Sequence, residues 1–370
     1  MSRSVNFREI RHISDLSKNF GFEVDHIKNI LSILRSCASA QTGFYQKIRI
    51  PKKNKNRKSE FRVVYKIKDD ALLLLHKNIA TTLAETQQPV PPYVQGFVRG
   101  RSIRTNALQH LANEIILKAD IKNFFESIAK SQVRDMFAKI GCLPGIAEDL
   151  TDLCTLDGFL FQGSSASPII ANLVCAEMDK ELNLLSNQYK ANYSRYADDI
   201  TFSGKSVPSK DEVIRILGTF GFKLNEQKFL TKKRGQSQFV TGLSIFDSKY
   251  PRVPKQFKKR LRLELYFLEK FGIHGHIERI FKRKGMPTVD IENNPQFEEE
   301  INRIAGSVSF ISSIEKDFGN KIKEQWSQII AKNGITKVKK YPLIRETREP
   351  RVPFKMPIAI SREVNGITQS

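Results

Sequence analysis

The stretch that most constrains this chain is Tyr196-Ala197-Asp198-Asp199, set between two short β-prone runs, Ala191-Asn192-Tyr193-Ser194-Arg195 and Ile200-Thr201-Phe202-Ser203-Gly204. Tyr193 and Tyr196 on one side, and Ile200 and Phe202 on the other, suggest two strands, so the segment predicts a hairpin with the acidic pair at its tight turn. Two adjacent carboxylates at such a tip repel each other. A hard divalent cation such as magnesium relieves that repulsion through oxygen ligands. Asp is also common in ordinary solvated turns. The pair alone leaves both readings open, and the rest of the chain has to separate them.

A third acid follows the same pattern. Glu114-Ile115-Ile116-Leu117-Lys118-Ala119-Asp120-Ile121 reads as a short buried strand ending in a carboxylate, after which Phe124, Phe125 and Ile128 begin a helix-like segment. Asp120 is then either a helix N-cap or the third carboxylate of a metal site. Brought to one sheet, Asp120, Asp198 and Asp199 would suit two magnesium ions about 3.5–4 Å apart, which activate an attacking hydroxyl and stabilise a leaving phosphate. Phosphoryl transfer asks mainly for positioning and charge neutralisation, so metal-binding acids and cationic side chains are the expected parts.

Charge narrows the partner. The chain of 370 residues carries a formal net charge of +22, an excess that points to a polyanion, nucleic acid first. An anionic membrane surface is the competing partner, but no apolar run of transmembrane length, signal peptide or lipidation motif is present. The hydrophobic share of 40% excludes wholesale disorder. Cys37, Cys142, Cys154 and Cys175 are scattered without zinc-ligand spacing and read as thiols in a reducing cytoplasm.

The remaining elements are read in order. Residues 1–45 are helical in two runs separated by Gly21, with Asp25 available to cap the second. Residues 47–65 predict a β-hairpin with a cationic tip, from Lys47 through Lys58 to the strand Phe61-Arg62-Val63-Val64-Tyr65, and 69–86 a helix. Gly96-Phe97-Val98-Arg99-Gly100-Arg101-Ser102-Ile103-Arg104 reads as an anion-binding loop. Ser102 or Thr105 caps the next helix, which carries Asn106, His110 and Asn113. Ser167 as N-cap with Pro168 at the first helical position starts a long helix, and the small residues before it would let the backbone approach a flat ligand. An amphipathic helix over 210–222, Lys228 in Asn225-Glu226-Gln227-Lys228, and a strand-like Phe239-Val240-Thr241-Gly242-Leu243 complete this half. From 252 the composition turns basic: Arg252, Lys255, Lys258, Lys259, Arg260 and Arg262 share a helix with Leu261, Leu265 and Leu268, and further helix is expected at 297–332 before a basic tail.

In this order the motifs resemble those of reverse transcriptases, and more narrowly of bacterial retron reverse transcriptases, from about residue 47 to about 330. Tyr-Ala-Asp-Asp at 196–199 matches the central acidic hairpin, Asp120-Ile121-Lys122-Asn123-Phe124-Phe125 the first acid with its aromatic, and Gln162-Gly163-Ser164-Ser165-Ala166-Ser167-Pro168 the template- and nucleotide-contacting loop. Asn106-Ala107-Leu108-Gln109-His110 and Val240-Thr241-Gly242 fit the two elements that mark retron enzymes. Phe161 and Gln95 depart from the pattern, standing where relatives usually carry Pro and often His.

The resemblance implies an α/β (α+β) right-hand polymerase: fingers and palm over 1–250, the palm an antiparallel sheet backed by helices, a basic helical thumb over 251–335 and a tail over 336–370. It implies RNA-templated DNA synthesis with two magnesium ions on Asp120, Asp198 and Asp199, the last in a supporting role. Phe125 would stack on the deoxyribose and exclude a 2′-hydroxyl, Arg62 would face the triphosphate, Gln162 would line the nucleotide pocket, and Lys228 would donate a proton to pyrophosphate. Asn106, His110, Val240, Thr241 and Gly242, with Arg252, Lys255, Lys258, Lys259 and Arg262 of the thumb, would contact RNA. The implied partners are dNTPs, a cognate non-coding RNA with its branched DNA product, and a separate effector protein in anti-phage defence. The rival readings are another prokaryotic reverse transcriptase and a catalytically silent RNA-binding scaffold.

Overall fold

In the computed structural model, which describes residues 6–36, 43–51, 61–86, 89–288, 291 and 294–334, the chain opens with helices α1 (Ile13–Phe20) and α2 (Val24–Arg35). Gly21 ends α1 in the left-handed region at φ +75°, where it carries no Cβ penalty. Asp25 does not cap α2, because Glu23 holds the N-cap position; Asp25 sits in the first turn and complements the helix dipole. Strands β1 (Tyr45–Pro51) and β2 (Phe61–Ile67) pair antiparallel, Tyr45 opposite Ile67 and Pro51 opposite Phe61. The cationic tip expected between them lies outside the described residues, as do Cys37 and the tail.

The middle of the chain runs through α3 (Asp70–Thr86), α4 (Ile103–Leu108), β3 (Ile115–Asp120), α5 (Lys130–Lys139), α6 (Pro144–Cys154) and the small pair β4 (Thr155–Leu156) and β5 (Phe159–Leu160). It continues with α7 (Ser167–Val174), α8 (Ala176–Gln188), β6 (Asn192–Tyr196), β7 (Asp199–Gly204), α9 (Lys210–Thr219) and β8 (Leu230–Lys233). Four of these strands make one sheet in the order β6-β7-β3-β8, antiparallel at every step. In β7, every residue after Asp199 is buried, so both faces are covered. That is why the strands read as apolar and small-polar runs rather than a strict alternation.

The predicted long helix after residue 167 is two helices, jointed at Cys175. Its start also shifts by one residue: Ala166 takes the N-cap position, and the Ser167 hydroxyl donates to the Phe161 carbonyl at 2.7 Å. The strand expected across 239–243 is a tight hairpin of β9 (Phe239–Val240) and β10 (Leu243–Ser244). Thr241 at φ +44° and Gly242 at φ +83° make the turn.

Three helices follow, α10 (Lys255–Lys284), α11 (Pro295–Ile314) and α12 (Lys316–Lys332). Gly272, at φ +69° and ψ +170°, interrupts α10, and the Asn333 carboxamide oxygen accepts the Ile273 N–H at 3.1 Å where the helix restarts. The helix expected over 297–332 breaks at Glu315, whose carboxylate accepts the Val253 N–H at 2.7 Å and binds Lys258 at 3.0 Å and Arg252 at 3.3 Å.

Two hydrophobic cores result. The first runs from Phe7 to Leu224 around the sheet and the early helices. The second gathers Val240, Leu243, Ile245 and the apolar stripes of α10, α11 and α12, and reaches back to Ala107 of α4 and Ile116 of β3. The helical unit is thereby seated on the sheet through apolar contact. Cys142, Cys154 and Cys175 are buried and unpaired. No helix among the described residues is long and apolar enough to cross a membrane.

Candidate active site

Strand register delivers the three acids to one end of the sheet. Asp120 is the last residue of β3 and stands opposite Asp199, the first residue of β7. Asp198 lies in the turn, and its carbonyl accepts the Ile121 N–H at 2.9 Å, tying the turn to the end of β3. The hairpin predicted from sequence is present, with Tyr196 paired to Asp199. Asp120 closes a strand rather than capping a helix. Its carboxylate accepts from Lys228 Nζ at 2.5 Å and Asn225 Nδ2 at 2.9 Å.

The charges are under tension. Burial, then the neighbouring Asp199 and Asp120 carboxylates, push Asp198 up to about 6 against the opposing pull of Lys228. Asp199 is also raised, by burial first and by Asp120, with Lys118 and Lys228 opposing. Two buried carboxylates held up in this way beside a third suit a hard divalent ion, which relieves burial cost and repulsion together. Among the described residues no three His, Cys, Asp or Glu side chains already stand close enough to share an ion. Asp120 is engaged by Lys228 and Asn225, so its carboxylate has to exchange that pairing to serve as a ligand.

The turn itself is held from behind. Ala197 has φ +58°, a left-handed conformation unusual for a residue with a Cβ. Gly96 is pressed against it: a Cβ on Gly96 would lie 2.3 Å from the Ala197 nitrogen. The Gln95 and Gly96 N–H groups donate to the Arg195 carbonyl at 2.8 and 3.3 Å, and Asn172 Nδ2 donates to the Gly96 carbonyl at 2.9 Å. Arg195 is fully buried and forks onto Asp179 at 2.7 and 2.6 Å. It also donates to the Ala197 carbonyl at 3.2 Å, while the Tyr193 hydroxyl donates to Asp179 at 2.6 Å.

Sequence reasoning missed Arg195 and Asp179 as parts of the site. A charged residue two places from Tyr193 on the same strand face was the available signal, because a buried guanidinium requires a carboxylate partner. In the loop read as anion-binding, Arg101 is a brace. Arg101 donates to the Val90 carbonyl at 2.6 Å and to the Pro91 and Val94 carbonyls, which leaves it committed to backbone. Ser102 does cap α4, accepting the Thr105 N–H.

The other residues expected at the site divide. Asn106 and His110 are buried, with their side chains engaged inside the protein. Ser194 donates to Asn106 Oδ1 at 2.6 Å, which leaves its oxygen to accept from His110 Nε2 at 2.7 Å, and His110 Nδ1 accepts from Ser203 at 2.7 Å. Burial pushes His110 down to about 3, so it is a neutral clamp between the turn after α4 and strands β6 and β7. Val240 is fully buried in the second core, and Thr241 donates to the Ile103 carbonyl at 2.9 Å. Arg252 lies before α10, not on it, and with Lys258 is spent on Glu315. Lys255, Lys259 and Arg262 remain exposed on α10.

Arg62 is half-buried on β2, and the Tyr65 N–H of the same strand donates to the Gln162 carbonyl at 2.8 Å. The glycine that was expected to admit a flat ligand instead admits this strand, since a Cβ on Gly163 would sit 1.9 Å from the Tyr65 carbonyl oxygen. Phe125 is partly exposed, five residues beyond Asp120, between the rings of Phe124 and Phe97.

Comparison with known proteins agrees with this geometry. The family described as reverse transcriptase (RNA-dependent DNA polymerase) matches residues 50–239, half of the chain. The retron Mx65 reverse transcriptase of Myxococcus xanthus is 35% identical over 185 residues, covering 44% of this chain and 43% of that protein. The retron Mx162 reverse transcriptase of Myxococcus xanthus is 30% identical over 234 residues, 54% and 48% of the respective chains. The retron Ec86 reverse transcriptase of Escherichia coli is 28% identical over 247 residues, 66% and 69%. The matches span less than half the length of the two Myxococcus proteins. Reverse transcriptases generally work with divalent metal ions, as the acid set here invites. With the acids, the strands that carry them and the sheet between inside the matched segment, the chain belongs to the reverse transcriptase family and has its α/β polymerase fold.

Proposed function

We propose that this protein is an RNA-directed DNA polymerase of the retron type, extending a primer on its cognate non-coding RNA to give branched RNA–DNA. The observation that carries the reading is the meeting of Asp120, Asp198 and Asp199 at one end of an antiparallel sheet, on a chain of net charge +22. The three carboxylates would hold two magnesium ions, which supply activation of the attacking hydroxyl and stabilisation of the leaving pyrophosphate. Around them, Lys228 exchanges Asp120 for the departing phosphates and holds a proton for them. Arg62, on the strand braced by Gln162, faces the triphosphate, and Phe125 meets the sugar. Lys255, Lys259 and Arg262 track the RNA backbone.

The two cores support a division into fingers and palm over 1–250 and a thumb over 251–335, with the thumb's apolar packing already beginning at Val240. Work in the cytoplasm alongside a separate effector, in anti-phage defence, rests on the family alone.

The test is the nucleic acid that co-purifies with the protein when it is expressed with its flanking genomic DNA. The expected product is a discrete, DNase-sensitive species joined to RNA until debranched, and absent from Asp198→Asn. RNA alone in both preparations marks a silent scaffold. Unbranched or heterogeneous DNA that depends on Asp198 keeps the polymerase and removes the retron assignment.

A further inference from the structure

Phe97 occupies a conformation that its side chain disfavours. Its φ is +61°, in the left-handed region where a non-glycine residue is strained. The neighbour that fixes this backbone is Gly96, locked between the Arg195 carbonyl, the Asn172 carboxamide and the Ala197 nitrogen. Held there, Phe97 directs its ring to Phe125, centroid to centroid at 6.2 Å and 46°.

Phe125 is supported on its other side by Phe124 at 5.4 Å. Phe124 is itself fixed, buried against Phe222 at 6.2 Å and beneath the Arg195 guanidinium at 5.9 Å. Phe97 and Phe125 are both partly exposed. Phe125 opens a single 3-10 turn, Phe125–Ser127, too short to set a ring by its own helical packing. Beside its packing on the first core, the Phe125 ring is flanked by two aromatic neighbours, one anchored in that core and one anchored to the acidic turn.

We propose that Phe97 is a positioning residue for sugar selection: by wedging Phe125 from the side of the acidic turn, it keeps that ring where a 2′-hydroxyl would collide with it. The inference rests on the reading of Phe125 as the residue that meets the sugar. One loop then sets both distances that matter, because Gly96 abuts the turn carrying Asp198 and Phe97 abuts the ring that judges the sugar. The same contact explains why a bulky aromatic stands at a strained position directly after a glycine.

The experiment compares single-nucleotide incorporation of dNTPs and rNTPs by the full chain on a primed RNA template. Phe97→Ala removes the ring, and Phe97→Gly removes it while also relieving the backbone strain. Both are expected to shift the dNTP-to-rNTP ratio of kcat/KM by about tenfold toward ribonucleotides, the scale of one lost packing contact in a selective pocket, mainly through the ribonucleotide KM. Phe97→Tyr should retain the wild-type ratio, and Phe97→Leu, which keeps bulk without a flat ring, should fall between and remains informative if the smaller variants fold poorly. Phe125→Ala runs beside them. If Phe125→Ala relaxes the ratio and none of Ala, Gly and Leu at residue 97 does, Phe97 has no part in selection; an equal loss of rate with both nucleotides overturns the proposal in the same way. If Phe125→Ala leaves the ratio unchanged, the reading of Phe125 fails first and this inference with it.

Discussion

The sheet end that carries the acids and the three-helix unit that follows it use charge in opposite ways. At the sheet, charge is buried: Arg195 and Asp179 are both inaccessible to solvent, and Asp120 is nearly so. A buried pair of this kind contributes little net stability when intact but is costly to break, since the survivor is left uncompensated. On the helical unit, Lys255, Lys259 and Arg262 project into water. Several of its ion pairs, such as Arg303 with Glu300 at 2.7 Å, keep one partner exposed, while Lys258 with Glu315 at the α11–α12 break is largely buried. Exposed charges add little to folding but dominate attraction for a polyanion. In the proposed function the first region thus couples fold to chemistry, whereas the exposed cations of the second are free of the fold.

The largest expected break in that comparison is Arg195→Met, which strands the Asp179 carboxylate in the core. It should destabilise the protein by about 3–5 kcal/mol, read by denaturant unfolding, and the double variant with Asp179→Leu should recover much of the loss. A loss no larger than that of a surface substitution would mean that the pair is not a strut.

Next is Gly96→Ala. Its Cβ meets backbone at 2.3 Å, so the acidic turn must move. Primer extension should fall by about 10²-fold, the scale of a 1 Å misplacement at a reacting centre. The melting temperature is expected to change far less.

The third prediction concerns the cost of gathering the acids. Asp198 has its ordinary value of 3.8 raised to about 6, so the folded state holds a proton that the unfolded chain releases over that window. Stability from this source is complete below about 4 and is lost as pH rises through about 6. In the presence of a chelator, Asp198→Asn should therefore melt above wild type at pH 7, with the gap closing toward pH 4, although the variant is expected to lose polymerase activity. An Asn variant that melts below wild type at pH 7 would show that the acids are not in conflict.

The smallest effect sharpens the other side. Lys255→Gln, Lys259→Gln and Arg262→Gln together should leave stability within about 0.5 kcal/mol. The slope of log RNA affinity against log salt should fall by about 2–3, close to one unit per lost phosphate contact. An unchanged slope would detach this face from RNA.

Where the sequence misleads about buried and exposed charge, the cause is common. Residue types announced that Asn106, His110 and Arg252 were polar and unusual, but not which way they point. Ser194 and Ser203 turn His110 into a clamp from more than eighty positions away, and Glu315 takes Arg252 and Lys258. The glycines mislead for the same reason. Gly163 and Gly96 admit other parts of this chain, Tyr65 and Ala197, rather than a ligand.

What the sequence determined by itself was local. The β-prone runs around Ala197 and Asp198, the acid closing β3, the Ser102 cap of α4 and the excess of positive charge all follow from spacing and residue type within a few positions, where propensity and periodicity act. What only the tertiary structure decided was which groups meet. Antiparallel register sets Asp120 opposite Asp199, Lys228 arrives at Asp120 from 108 residues away, and Arg195 finds Asp179 on a neighbouring helix. Those encounters depend on pairing and on the direction of side chains across packed faces, which burial enforces only once the whole core has formed.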